Sequence, residues 1–180
     1  RVYCLFHYGS TYYIHKVLQA LQEDSVIDQV GGIVAGQEHY NFLDNQNQID
    51  YEPLHCVQTV HEDLVQNPLN EDRLEELEEE FDTPTLRRYA ISDRHYSAYD
   101  NEKQKKLIQN WFDFYIDVFN DFSPDLLITD AVAACNTWIA FDTAHHMGGV
   151  SVWWKHTRVQ DLYSILVNDP YDNHTYIHQR

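Results

Sequence analysis

Three cysteines occur in the chain, Cys4, Cys56 and Cys135, and none has a partner at metal-knuckle spacing. They supply neither a disulfide framework nor a thiolate zinc site. Unpaired cysteines point to a reducing compartment. The expected location is the cytoplasm, including a peripheral position against the inner face of the membrane. Basic residues are also scarce: 12 Lys and Arg stand against 29 Asp and Glu, a net charge of −17. Binding to a phosphate backbone needs a basic face, so nucleic acid is excluded as the main partner. The acidity fits a hydrated surface of the kind that keeps protein soluble in high salt, or an acidic protein of an ordinary cytoplasm. No apolar run approaches the ~18–20 residues of a membrane span, and no signal-peptide pattern is present. The phosphate-binding patterns GxGxxG and GK[ST] are missing, as is the zinc pattern HExxH. No metal and no cofactor is therefore expected.

What remains suits one globular domain spanning 1–180: the chain is 43% hydrophobic and 14% aromatic, enough for a sizeable core. The most informative stretch runs from Asn101 to Trp154. Leu107, Ile108, Trp111, Phe112, Tyr115, Val118, Phe119 and Phe122 recur at spacings of three and four, which predicts a long helix buried along one stripe. Ser123-Pro124-Asp125 ends it. Leu126-Leu127-Ile128-Thr129 then reads as a strand buried on both faces and closing at Asp130. A second helix over Asn136–His146, a Gly148-Gly149 stop and a strand over Val150–Trp154 follow. Helix, strand, helix and strand joined by short turns make the unit of a parallel sheet covered by helices. In such folds ligands sit beyond the carboxyl ends of the strands, where Asp130 stands.

Elsewhere, Val2–Phe6 reads as a strand running into His7-Tyr8-Gly9-Ser10-Thr11, a turn that opens a helix with stripe Ile14, Val17, Leu18 and Leu21. Ser10 or Thr11 is placed to cap that helix, and a helix opening after a strand is a common seat for an anionic or polar ligand. A second strand is predicted over Gly31–Gly36, a helical turn over Gln37–Leu43, and a third extended piece near Leu54–Val60. Asn70–Phe81 is a highly charged helix with acids in its first turn. Tyr163–Val167 is a last strand, before Asn168-Asp169-Pro170-Tyr171-Asp172.

Two candidates for proton transfer arise from these placements. His7 and Asp130 each close a predicted strand, and an imidazole or carboxylate is what takes a proton from a reacting hydroxyl. Other readings stay open: His7 as an ordinary polar strand end, and Asp130 as the cap of the following helix. Tyr8, Gly9 and Ser10 line the turn beside His7. In the segment around Asp93-Arg94-His95, basic and aromatic in an acidic chain, Asp93 is placed to orient Arg94 or His95. Arg87, Arg88 and Arg94 either neutralise the glutamate helix or hold a phosphate or carboxylate. Lys155 and Arg158 form a second basic cluster past the Val150–Trp154 strand. Asp142, His145 and His146 share a helix face, but no other region points at them, so no metal is assigned.

In order along the chain, Asp93-Arg94, a long aromatic helix, Ser123-Pro124-Asp125-Leu126-Leu127-Ile128-Thr129-Asp130, a helix, a glycine, a strand, then Asn168-Asp169-Pro170-Tyr171-Asp172 resemble the N-terminal half of surface and capsular polysaccharide biosynthesis proteins. Those proteins resemble two-domain GT-B glycosyltransferases and sugar-nucleotide epimerases. The resemblance covers roughly Val2 to Asp172. The chain departs from it at Asp130, where glutamate is common, and at Ala131-Val132-Ala133-Ala134, which replaces a glycine. The resemblance implies a Rossmann-like three-layer α/β domain with a mostly parallel sheet, half of a GT-B architecture and a piece of a larger protein. It implies an acceptor-side domain for transfer of a sugar from a nucleotide-sugar donor to a polysaccharide or glycolipid acceptor. The donor would be held mainly by a C-terminal domain outside this chain, and the chain alone is not expected to be active. On that reading Asp130 and His7 are catalytic, while Tyr8, Gly9, Ser10, Asp93, Arg94, His95, Lys155 and Arg158 bind substrate. The alternative is a non-catalytic sugar- or nucleotide-binding α/β module acting as an assembly part.

Overall fold

The computed structural model describes residues 1–91, 93–130, 132, 134–156 and 163–167, with 154–156 and 163–167 described by their backbone alone. In chain order the elements are β1 (Val2–Phe6), α1 (Thr11–Glu23), β2 (Val30–Val34), α2 (Gln37–Asn45), β3 (Tyr51–Cys56), α3 (Val57–Gln66), α4 (Glu71–Glu80), α5 (Arg88–Ile91), a 3-10 turn (Tyr96–Ala98), α6 (Asn101–Phe122), β4 (Leu126–Thr129), α7 (Cys135–His146), β5 (Val150–His156) and β6 (Tyr163–Val167). The strands form one sheet in the order β3-β2-β1-β4-β5-β6. Every neighbouring pair is parallel except β5 with β6, which is antiparallel at the edge. The fold is a Rossmann-like three-layer α/β arrangement. Strand order reverses between β1 and β4, the place where such sheets open a crevice.

Alternation along the strands splits the core into two layers. Val2, Cys4 and Phe6 face the side covered by α1 and α2, with Ile14, Leu18 and Leu43. Tyr3, Leu5 and Leu127 face the other side, with Leu77, Trp111, Phe112, Tyr115, Phe119 and Ile139 from the α3–α7 layer. Because β1 is fully buried on both faces, all five of its residues are apolar or aromatic. Gly32 in β2 is needed for packing: a Cβ there would lie 2.6 Å from Phe6 Cε2 and 2.8 Å from the Cys4 carbonyl oxygen.

Asp100 caps α6 by accepting from the Lys103 N–H, and Asn70 caps α4 by accepting from Asp72 and Arg73. Three expectations shift. The third strand lies at Tyr51–Cys56, and Val57 onwards is helix rather than extended chain. Val57, Thr59 and Val60 favour a strand by local propensity, but Val60 and Leu64, one turn apart, are both buried in the α3–α7 layer, and that burial decides. The second strand is Val30–Val34, and Gly36 is the residue preceding α2. The Ser10 side chain does not cap α1; its hydroxyl turns back to the His7 carbonyl at 3.0 Å.

Candidate functional site

Parallel strands in register leave a sheet at the same height. Leu5 of β1 pairs with Thr129 of β4, so His7, two residues beyond Leu5, and Asp130, one beyond Thr129, emerge side by side at the strand-order reversal. His7 Nδ1 lies 2.8 Å from Asp130 Oδ1. Their side chains are 26% and 24% exposed, reachable from solvent yet largely withdrawn from it. An ionised carboxylate only accepts, so Nδ1 is assigned the proton and Nε2 becomes the free acceptor. Among the described residues Nε2 has no hydrogen-bond partner.

Backbone contacts hold both members. Ser10 Oγ and Thr11 Oγ1 donate to the His7 carbonyl at 3.0 and 2.9 Å, and the Ser10 and Thr11 N–H groups do so at 3.0 and 3.1 Å. Across the sheet, the Trp153 indole N–H donates to the Asp130 carbonyl at 3.0 Å. Burial works against ionisation of Asp130, but the neighbouring His7 and Ser10 side chains, His7 by its 2.8 Å hydrogen bond, outweigh it and hold the carboxyl below its ordinary range. The helix-cap reading of Asp130 fails geometrically. α7 begins after Ala134, which makes no side-chain cap bond, and the Cys135 N–H is taken by Asp93 Oδ2 at 2.9 Å.

Asp93 therefore has a structural place. It is 6% exposed, and its other oxygen accepts from the backbone N–H of His95 at 2.8 Å and of Tyr96 at 3.2 Å. This carboxylate ties the Asp93–Tyr96 turn to the start of α7, which follows β4, so the turn borders the carboxyl edge of the sheet. Arg94 and His95 stand exposed on it, with Arg94 Nε 3.4 Å from His95 Nε2. Asp93 orients the backbone of His95 rather than either side chain. Tyr8 is 60% exposed beside His7, and Gly9 lies open, with nothing within 4 Å of where a Cβ would be. Lys155 lies in β5, its backbone paired with Ser164. Its side chain, Arg158 and the Asn168–Asp172 segment lie outside the described residues. The structure thus brings together His7, Asp130 and Ser10, with Tyr8 and Gly9 alongside.

Arg88 is engaged elsewhere. Its Nη2 donates to Asp142 Oδ2 at 2.9 Å and to Tyr89 Oη at 2.7 Å, fastening α5 to α7. Arg73 bonds Asp113 at 2.8 Å and joins Glu76, so it ties α4 to α6. Trp153, Tyr12 and His39 were not singled out from sequence as parts of this edge. Trp153 follows from strand pairing alone, since it sits opposite Thr129.

Among the described residues no group of three or more His, Cys, Asp or Glu side chains is arranged to hold a metal. No helix is long and apolar enough to cross a membrane among the same residues. A cleft of about 640 Å³ opens mainly at the amino ends of the strands, lined by Asp28, Asp50, Glu52, His55, Asp117 and Asp121 among others. Its carboxylates would repel a diphosphate, and it lies at the end of the sheet opposite the dyad. No family model matches the chain, and no match was found among curated proteins or solved structures.

Proposed function

We propose that this chain is the acceptor-side domain of a glycosyltransferase-like protein in which His7 is the general base and Asp130 holds it in the reactive tautomer. The observation that carries the reading is the 2.8 Å His7–Asp130 contact at the strand-order reversal, with Nε2 left for a substrate hydroxyl. The acceptor oxygen gives its proton to His7 Nε2 and forms a bond to the anomeric carbon of the donor. The bond from that carbon to the nucleoside diphosphate breaks, and its electron pair leaves with the diphosphate. The imidazolium formed faces the Asp130 carboxylate, which lowers the cost of the charge. The sequence resemblance supports the glycosyl part of this reading; the dyad supports the proton transfer.

The test is transfer by the full-length protein carrying this chain, supplied with a panel of sugar nucleotides and glycan acceptors. His7→Ala is expected to reduce turnover by about 10²–10⁴-fold, the usual share of a general base. Asp130→Asn should lower kcat more than it raises KM, because it disturbs the tautomer rather than the fit. Wild-type turnover in a folded His7→Ala protein removes the proposal.

A further inference from the structure

Among the described tyrosines, Tyr3, Tyr51, Tyr89, Tyr96 and Tyr115 are buried and Tyr40 and Tyr99 half-buried. Three are exposed. Tyr8 is 60%, Tyr12 45% and Tyr13 58% exposed, and they crowd into the turn after His7 and the first turn of α1. The other large apolar side chains exposed among the described residues, Val26, Ile91, Met147 and Val150, are scattered. Exposed rings gathered at one edge ask for a ligand in a way that scattered ones do not.

These rings are also held. Tyr8 packs onto Gly36, where a Cβ would come within 2.7 Å of its Cε1, so the absence of a side chain there seats the ring. His39 meets Tyr8 edge-on with centroids 5.7 Å apart, and Tyr12 at 5.4 Å. Tyr12 is backed in turn by Phe42 at 4.6 Å. A ring packed on one side and open to solvent on the other is a platform that loses little freedom when something stacks on it.

Charge narrows the occupant. Residues 2–15 contain no Lys, Arg, Asp or Glu, and residues 31–45 contain no Lys or Arg. Among the described residues the segments that carry these rings hold no cation, and Lys16, one turn on from Tyr12, turns along α1 to Gln19 at 3.0 Å; a neutral ring presenting C–H bonds meets the negative faces of the tyrosines favourably. The dyad next to it calls for a substrate rich in hydroxyl groups.

We propose that Tyr8, Tyr12 and His39 form a stacking subsite for an uncharged pyranose ring of the acceptor, which places one of its hydroxyls toward His7. The inference rests on the reading of His7 as base, but it is tested by binding rather than turnover, so the two fail separately.

Saturation-transfer NMR on the 180-residue chain measures binding of methyl β-D-glucopyranoside, methyl β-D-galactopyranoside and methyl N-acetyl-β-D-glucosaminide, with uridine as the flat-ring control. Tyr8→Ala and Tyr12→Ala are expected to weaken glycoside binding tenfold or more, and Tyr8→Phe to keep it. Circular dichroism checks that each variant is folded, which the exposure of both tyrosines favours. The subsite is overturned if no methyl glycoside binds the wild type, or if binding survives both alanine variants. It is equally overturned if uridine binds in the glycosides' place, or if sedimentation shows that the tyrosines hold two copies of the chain together.

Discussion

Replacing Asp93 by asparagine keeps the side chain's size and one acceptor oxygen while removing the charge and the second acceptor. In the native protein Oδ1 takes the N–H groups of His95 and Tyr96, and Oδ2 takes that of Cys135 at the start of α7. An asparagine satisfies one side and turns its NH2 toward the other, so at least the Cys135 N–H faces a donor in a site 6% exposed. A hydrogen bond to a charged acceptor contributes about 1.5–3 kcal/mol, and an orphaned buried donor costs a similar amount. Loss of a negative charge at a helix N-terminus adds about 0.3–1 kcal/mol. Together these place Asp93→Asn at a destabilisation of about 2–4 kcal/mol, with Asp93→Ala larger because no donor keeps its partner. For a chain of this size that corresponds to a melting temperature lower by roughly 5–15 °C. Urea unfolding followed by tryptophan fluorescence measures it, since Trp111 is fully buried and Trp138 lies on α7 itself. If both variants unfold within about 0.5 kcal/mol of wild type, the range of a surface substitution, the clamp reasoning is wrong. A pure substrate contact at Asp93 would give that second result.

Two further expectations follow from packing and charge. Gly32→Ala pushes a methyl against Phe6 and the Cys4 carbonyl of the neighbouring strand, and backbone cannot give way as a side chain can; a loss of about 1–3 kcal/mol is expected by chemical denaturation. The carboxyl of Asp130 titrates lower in the folded protein than the ordinary aspartate value of 3.8, so its stabilising contribution is complete above that value and is lost as pH falls through the folded value. The stability difference between wild type and Asp130→Asn should therefore shrink on acidification below about pH 4, and a difference that stays constant from neutral pH into that acid range refutes the depressed carboxyl.

Elements whose burial repeats with their own period were legible in the sequence. The spacing of Leu107, Trp111, Tyr115 and Phe119 defines α6, and unbroken apolar runs define β1 and β4, because each is buried by its own pattern. Val57–Val60 misled because a strand and the first turn of a buried helix share the same β-branched residues over so short a span. The pairing of His7 with Asp130 was beyond reach from spacing: 123 residues separate them, and only the strand order brings them together. The role of Asp93 was hidden for a similar reason. Its decisive partner is a backbone N–H 42 residues away, and a backbone group leaves no mark on the sequence.

The dyad's position has a physical cause that goes beyond the pairing. β1 and β4 are buried, and neither carries a charged side chain before its end. From those ends the chain departs to opposite layers, α1 on one face and α7 on the other, and the gap opened there lets a polar group escape full burial. The neighbouring exit, from β2, uses that freedom differently: Ala35 and Gly36 carry no ionisable group, and Gly36 instead receives the ring of Tyr8. Acid–base groups thus stand at the two central exits and an aromatic seat at the third. On the function proposed above, a proton acceptor beside exposed aromatic rings suits a hydroxyl-bearing substrate.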